Sequence, residues 1–126
     1  EDGYDAHLNT LKVELRQKIH RVAFTSQPES YMAAADILCL PSYREGFGSV
    51  VIESAAVGIP AVASRIYGIT DAIIDHVTGI LHEPGNSQEI CQAMFRLAHD
   101  EPFRCKMGAA ARERVIHEFS QERLTT

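Results

Sequence analysis

The sequence predicts an α/β fold built on a parallel sheet with flanking helices. Three observations carry that prediction. The run "DILCLP" (36–41) is continuously apolar, as a strand covered on both faces is, "PAVAS" (60–64) reads as another buried strand, and "TGILHE" (78–83) as a further strand. Helical patterns separate them, which is the alternation of βαβ units. The longest linker-like piece, "PSYREGFG" (41–48), lies between a strand end and a helix start. Open α/β sheets bind their ligands there, beyond the carboxyl ends of the strands, so the class is Rossmann-like.

Taken in order, Leu8, Leu11, Leu15 and Ile19 recur at three and four residues and predict a helix over roughly 4–18. "RVAFT" (21–25) is short and rich in strand formers. "PESYMAAA" opens with Pro28, a good first-turn residue, and predicts a short helix. The strand 36–41 is stopped by Pro41, and Cys39 within it reads as a buried small hydrophobe. "GSVVIESAAVG" (48–58) predicts a helix closed by Gly58, before the strand 60–64. "GITDAIID" (68–75) predicts a short helix, with Asp71 and Asp75 on one solvated face, before the strand 78–83. "NSQEICQAMFRLAHD" (86–100) is amphipathic, with Asn86 or Ser87 as its cap. A last helical stretch, 101–119, carries Gly108 as a candidate break.

The 126 residues suggest one domain, and 45% hydrophobic with 23% charged residues is the mix of a soluble globular chain. A net charge of −5 excludes a broad basic field for nucleic acid or anionic lipid. No run approaches the roughly 20 apolar residues of a membrane span. The polar opening "EDGYDAHLNT" resembles neither a signal nor a transit peptide. Cys39, Cys91 and Cys105 form no C-x-x-C pair, a usage that suits a reducing cytosol. The six histidines form no metal-ligand spacing and no D-x-D pair occurs, so no metal is expected. No serine sits in a G-x-S-x-G setting.

The chemistry concentrates in 41–53. Gly46 and Gly48 permit close backbone approach, and Ser49, Val50 and Val51 open the next helix. The first amides of a helix lack intrahelical acceptors and face the positive end of the dipole, where a phosphate is held well. Glu53, one turn further in, can accept from two vicinal hydroxyls such as those of a ribose. Glu45, in the loop, would face whatever is joined to the phosphate. The residues alone leave a second reading open: an ordinary Gly-x-Gly turn with a glutamate that complements the dipole. "GFGSVV" places Val51 where a dinucleotide fingerprint has its third glycine or alanine, which argues against a nicotinamide or flavin cofactor.

"EGFGSVVIE" resembles the E-x7-E signature of family-4 retaining glycosyltransferases of the GT-B fold. The resemblance continues through "GIPAVAS", "YGITDAI", "TGILHEPGNSQEICQAM" and "RERVIHEFSQERL", and covers nearly the whole chain in family order. It implies the C-terminal, nucleotide-sugar donor-binding half of a GT-B fold, with a flavour similar to bacterial capsule, lipopolysaccharide and lipid-linked oligosaccharide enzymes, which mostly use UDP-sugars. It implies Glu45 on the donor hexose as the catalytic residue. It puts Gly46, Phe47, Gly48, Ser49 and Val50 on the sugar and diphosphate, and Glu53 on the ribose. More weakly, it puts Ser26, Gln27 and Pro28 beside the base. It implies no cofactor beyond the donor, a cytoplasmic location that can include the inner membrane face, and a glycan or lipid-linked acceptor held by another domain.

Against the family pattern, the sequence 1–126 reads as a partial donor domain. The acceptor domain, two strands and an Arg/Lys pair that neutralises the diphosphate are not in it, and Gln121 replaces the aromatic of "FSWER". That predicts an inactive isolated piece. It also predicts that 21–25 pairs directly with 36–40, or that an exposed strand edge self-associates. The alternatives are a non-catalytic nucleotide- or partner-binding module and a GT-B UDP-sugar epimerase.

Overall fold

The computed structural model describes residues 12–20, 28–42 and 49–125. The expected strand 21–25, most of the expected first helix and the loop 43–48 lie outside the described residues. Three strands, β1 (Leu38–Leu40), β2 (Ala61–Ser64) and β3 (Gly79–His82), form a parallel sheet in the order β1-β2-β3. Leu38 stands opposite Ala61, and Ala61 opposite Gly79, so all three strands start at one end and leave at the other. The described helices are α1 (Val13–Arg16), α2 (Pro28–Ala33), α3 (Ser49–Ala56), α4 (Ser87–His99) and α5 (Glu101–Thr125).

The continuous apolar runs explain themselves in the packing. On one face Ala61, Ala63 and Leu81 meet Val51 of α3 together with Ile69 and Ile73. On the other, Val62 and Ile80 meet Ala93 and Leu97 of α4 and Met107 of α5. With helical layers over the sheet, β2 and β3 are buried throughout, including the polar Ser64 and His82 at their ends. β1 departs from the expectation. Cys39 is exposed, because α4 and α5 lie over β2 and β3 and not over β1. Partial desolvation still pushes its thiol above the ordinary range. Cys91 and Cys105 are exposed and free as well.

The segment 68–75 is not a helix. It is a series of turns in which the Ile69 and Ala72 amides donate to Ile66 O and Ile69 O, and Gly68 turns at φ +95°. Ile69 and Ile73, four apart, both reach the core, which is why the spacing reads as helical. Asp75 is not on a solvated face. Its Oδ1 accepts the Leu81 amide at 2.9 Å and its Oδ2 accepts Arg65 Nη2 at 2.8 Å.

Asn86 caps α4 as expected, accepting the Glu89 amide at 3.1 Å, while Glu89 accepts the Glu83 amide at 2.8 Å. Only Asp100 separates α4 from α5, and its Oδ1 accepts the Phe103 amide at 3.1 Å. Arg104 donates back to Leu97 O at 2.8 Å, and Arg96 lies 3.9 Å over the Phe103 ring. These two arginines close a helix corner. Gly108 does not break α5. A side chain there would put its Cβ 2.2 Å from Gly58 O, so glycine is what lets the helix touch the entry to β2.

Candidate functional site

The sheet decides where a ligand can be met. Leu40 pairs with Ala63 and Ser64 with His82, so β1, β2 and β3 release the chain side by side at one end. At that end the chain passes from β1, through 41–48, into α3. The start of α3 therefore belongs to the same end as the strand exits.

The sequence of α3 fixes which side of it is free. Val51, Ser54 and Ala55 are buried at helical spacing, and Ser54 Oγ donates to Ile59 O at 2.8 Å, which ties the helix to the start of β2. Ser49 and Val50, in the first turn, are half-buried, and Glu53 is exposed. Glu53 is four residues from Ser49, so its carboxylate stands one turn behind the leading amides, on the face turned from the core. Of the other site candidates, Glu45, Gly46, Phe47, Gly48, Ser26 and Gln27 lie outside the described residues. Pro28 is the first residue of α2.

Sequence reasoning missed several residues at the strand exits. Arg65 leaves β2 and, besides Asp75, reaches Glu83 Oε1 at 3.6 Å, so it locks the exits of β2 and β3 together. Burial alone would raise the Asp75 carboxyl. The Leu81 amide, the Arg65 guanidinium and the His76 ring outweigh it and hold the group below its ordinary range. Tyr67 stands at the tip of the turn after Arg65 and is 90% exposed. The signal that could have found it is the pair Tyr67–Gly68 directly behind a strand end. Ser64 Oγ and His82 Nε2, neighbours in register, are buried without a partner among the described residues. A cavity of about 240 Å³ lies at the outer edge of β3, lined by His76, His82, Glu89, Gln92 and Arg96, and not at the exits of β1 and β2. Among the described residues no three His, Cys, Asp or Glu side chains are placed to hold a metal ion. No helix among them is long and apolar enough to cross a membrane.

A parallel sheet with helices on both faces, a helix start at the strand exits and an exposed carboxylate one turn in define a Rossmann-like class of domain. Residues 3–114 match the family model "Glycosyl transferases group 1", and the chain belongs to that family. It is 31% identical over 101 residues to a capsular polysaccharide biosynthesis glycosyltransferase, CapM, of Staphylococcus aureus, covering 80% of this chain and 27% of that protein. It is 39% identical over 103 residues to D-inositol 3-phosphate glycosyltransferase of Corynebacterium diphtheriae, covering 78% and 24%. The structure of a TarM variant of S. aureus in complex with fondaparinux, α-GlcNAc-glycerol and UDP superposes with a TM-score of 0.77 at 26% identity, over 90% of this chain and 24% of that one. The chain thus spans about a quarter of the length of these relatives. The fold matches the C-terminal half of GT-B glycosyltransferases.

Proposed function

We propose that the chain is the donor-binding part of a retaining glycosyltransferase. The whole protein would move a hexose from a nucleotide diphosphate sugar, UDP-linked, to a glycan or lipid-linked acceptor carried by a further domain. The observation that carries this reading is Glu53, exposed one turn inside α3 at the exits of a parallel sheet, in a chain of the group 1 family. The UDP in the TarM complex supports the choice of nucleotide.

In this reading Glu53 accepts from both ribose hydroxyls, and the leading amides of α3, from Ser49 and Val50, donate to the diphosphate. Gly46, Phe47 and Gly48 complete the sugar and diphosphate contacts. Glu45 orients the hexose and stabilises the positive charge that grows on it as the bond to the diphosphate breaks. Ser26, Gln27 and Pro28 flank the base. No general base is assigned, because the departing phosphate takes the acceptor proton. No metal takes part, and turnover that survives a chelator would bear on that point. Where the acceptor is lipid-linked, the protein works at the inner face of the membrane through its acceptor domain.

The test is incubation of the full-length protein with UDP-sugars and an acceptor glycan, with the anomeric configuration of the product read by NMR. Transfer with retention is expected. Inversion would remove the retaining mechanism, C2 epimerisation would make the protein an epimerase, and UDP binding without turnover would make it a binding module.

A further inference from the structure

We infer that Tyr67 is a stacking platform for a pyranose ring at the mouth of the site. The inference rests on the reading above only in supposing that sugars are brought to the strand exits. β2 is the middle strand of the sheet, so the turn that leaves it stands between the exits of β1 and β3. Tyr67 follows Ser64, the last residue of β2, by three positions. Among the described residues it is the most exposed of the large hydrophobic side chains, at 90%. Among the described residues it makes no hydrogen bond and no ring contact.

The turn that carries it is held from both sides. Ile66 packs against the core cluster around Val51, and Ile69, two residues beyond the tyrosine, is fully buried. The Ile66 amide donates to Ser64 O at 2.9 Å, and the Ile69 amide to Ile66 O at 3.1 Å. Gly68 supplies the left-handed φ of +95° that brings the chain straight back to the core. Arg65, on the near side, is pinned by Asp75 and Glu83. The backbone under the ring is therefore ordered before any ligand arrives, and only the rotation of the ring itself is lost on binding.

A tyrosine offers a flat apolar face with a polar tip, at the entropy of two side-chain torsions. A pyranose offers the complement: a face of C–H groups ringed by hydroxyls. A phosphate has no apolar face to lay against the ring. The pyranose can be the donor hexose or a unit of the acceptor, and the two sources are separable by experiment.

The full-length protein, labelled with 3-fluorotyrosine and with the Tyr67 signal assigned by Tyr67→Phe, is titrated with UDP, UDP-glucose, UDP-N-acetylglucosamine and the methyl glycosides of both sugars. The Tyr67 signal is expected to move with a sugar-bearing probe and to stay in place with UDP. Movement with the nucleotide sugars alone assigns the donor, and movement with the methyl glycosides assigns the acceptor. A signal that ignores every probe, or answers UDP as strongly as the nucleotide sugars, overturns the inference. UDP affinity, measured in parallel by calorimetry, reports separately on the wider reading, and the glycoside titrations do not depend on it. In kinetics, Tyr67→Ala should raise KM for the sugar so identified about tenfold, while Tyr67→Phe and Tyr67→Trp stay within about threefold. A Kd for UDP that weakens along with KM in Tyr67→Ala would reduce the residue to a structural one.

Discussion

The two ends of the sheet are built on opposite terms. At the amino end, where the strands start, the chain is packed backbone against backbone. Gly108 of α5 lies against Gly58, and Ser54 of α3 is tied to Ile59 O at 2.8 Å. At the carboxyl end the side chains are charged or uncovered: Glu53, Arg65 and Tyr67 are all exposed. Backbone contact ties the amino end together, while the side chains leaving the strands at the carboxyl end beyond the buried Ser64 and His82 are open to solvent. A binding loop on a rigid scaffold follows the same logic.

The largest break should come from the amino end. Gly108→Val would drive a side chain into the Gly58 carbonyl, a backbone atom that cannot rotate away. We expect a loss of more than about 3 kcal/mol, read as a fall in the urea midpoint, with any folded fraction binding UDP normally. A stability within about 1 kcal/mol of the parent would show that α5 and the entry to β2 are not in contact.

Glu53→Ala should do the converse. It should weaken UDP binding by about 2 kcal/mol, the weight of hydrogen bonds to a charged acceptor, and leave the urea midpoint in place. Unchanged calorimetry with UDP would take Glu53 out of the site. Glu45→Gln sharpens the contrast within the site itself: turnover should fall far more than UDP affinity. The reverse pattern would exchange the roles of the two glutamates.

Asp75→Ala should cost about 1.5 kcal/mol, because it strands the Leu81 amide and frees Arg65. The sign of its pH dependence follows from its lowered pKa. The folded carboxyl binds a proton less readily than the unfolded one, so its contribution is fully present above the unfolded pKa. It is lost as pH falls through the folded one. The stability difference between parent and variant should therefore shrink in acid, and a difference that is flat down to pH 2 would contradict the pairing. Smallest is Gly58→Ala, at about 1 kcal/mol. The φ of +81° disfavours any side chain, but the nearest foreign atom, Arg112 Cδ, lies 3.9 Å from the added carbon and leaves room for it.

The amino end and the core were the legible part of the sequence. Short strand-forming runs named β2 and β3, and Asn86 or Ser87 as a cap named the start of α4, where Asn86 proves to be the residue that accepts the Glu89 amide. What misled was periodicity without its backbone. Ile69 and Ile73 keep helical spacing in a chain that is not helical, because both plug the same core from successive turns. Gly108 looked like a break because propensity penalises glycine, and the contact with Gly58 that rewards it is fifty residues away in the chain. Cys39 looked buried because a strand pattern says nothing about how far the helices above it extend. At the site, the E-x7-E spacing pointed to Glu53 on a free helix face. Nothing local marked Arg65 as a clamp, since Asp75 and Glu83 are brought to it only by the β3 crossover.

The turn before β3 has one more consequence. Asp75 bridges Gly79, the His76 amide donates to Gly79 O at 2.7 Å, and the Asp75 carboxylate takes the Leu81 amide. Gly79 O and the Leu81 amide face outward from β3, so this side of the sheet is partly stoppered by its own chain. An incoming strand finds these two groups already taken. The β3 edge is thus blunted by the turn that leads into it, which keeps an edge strand from pairing with another chain.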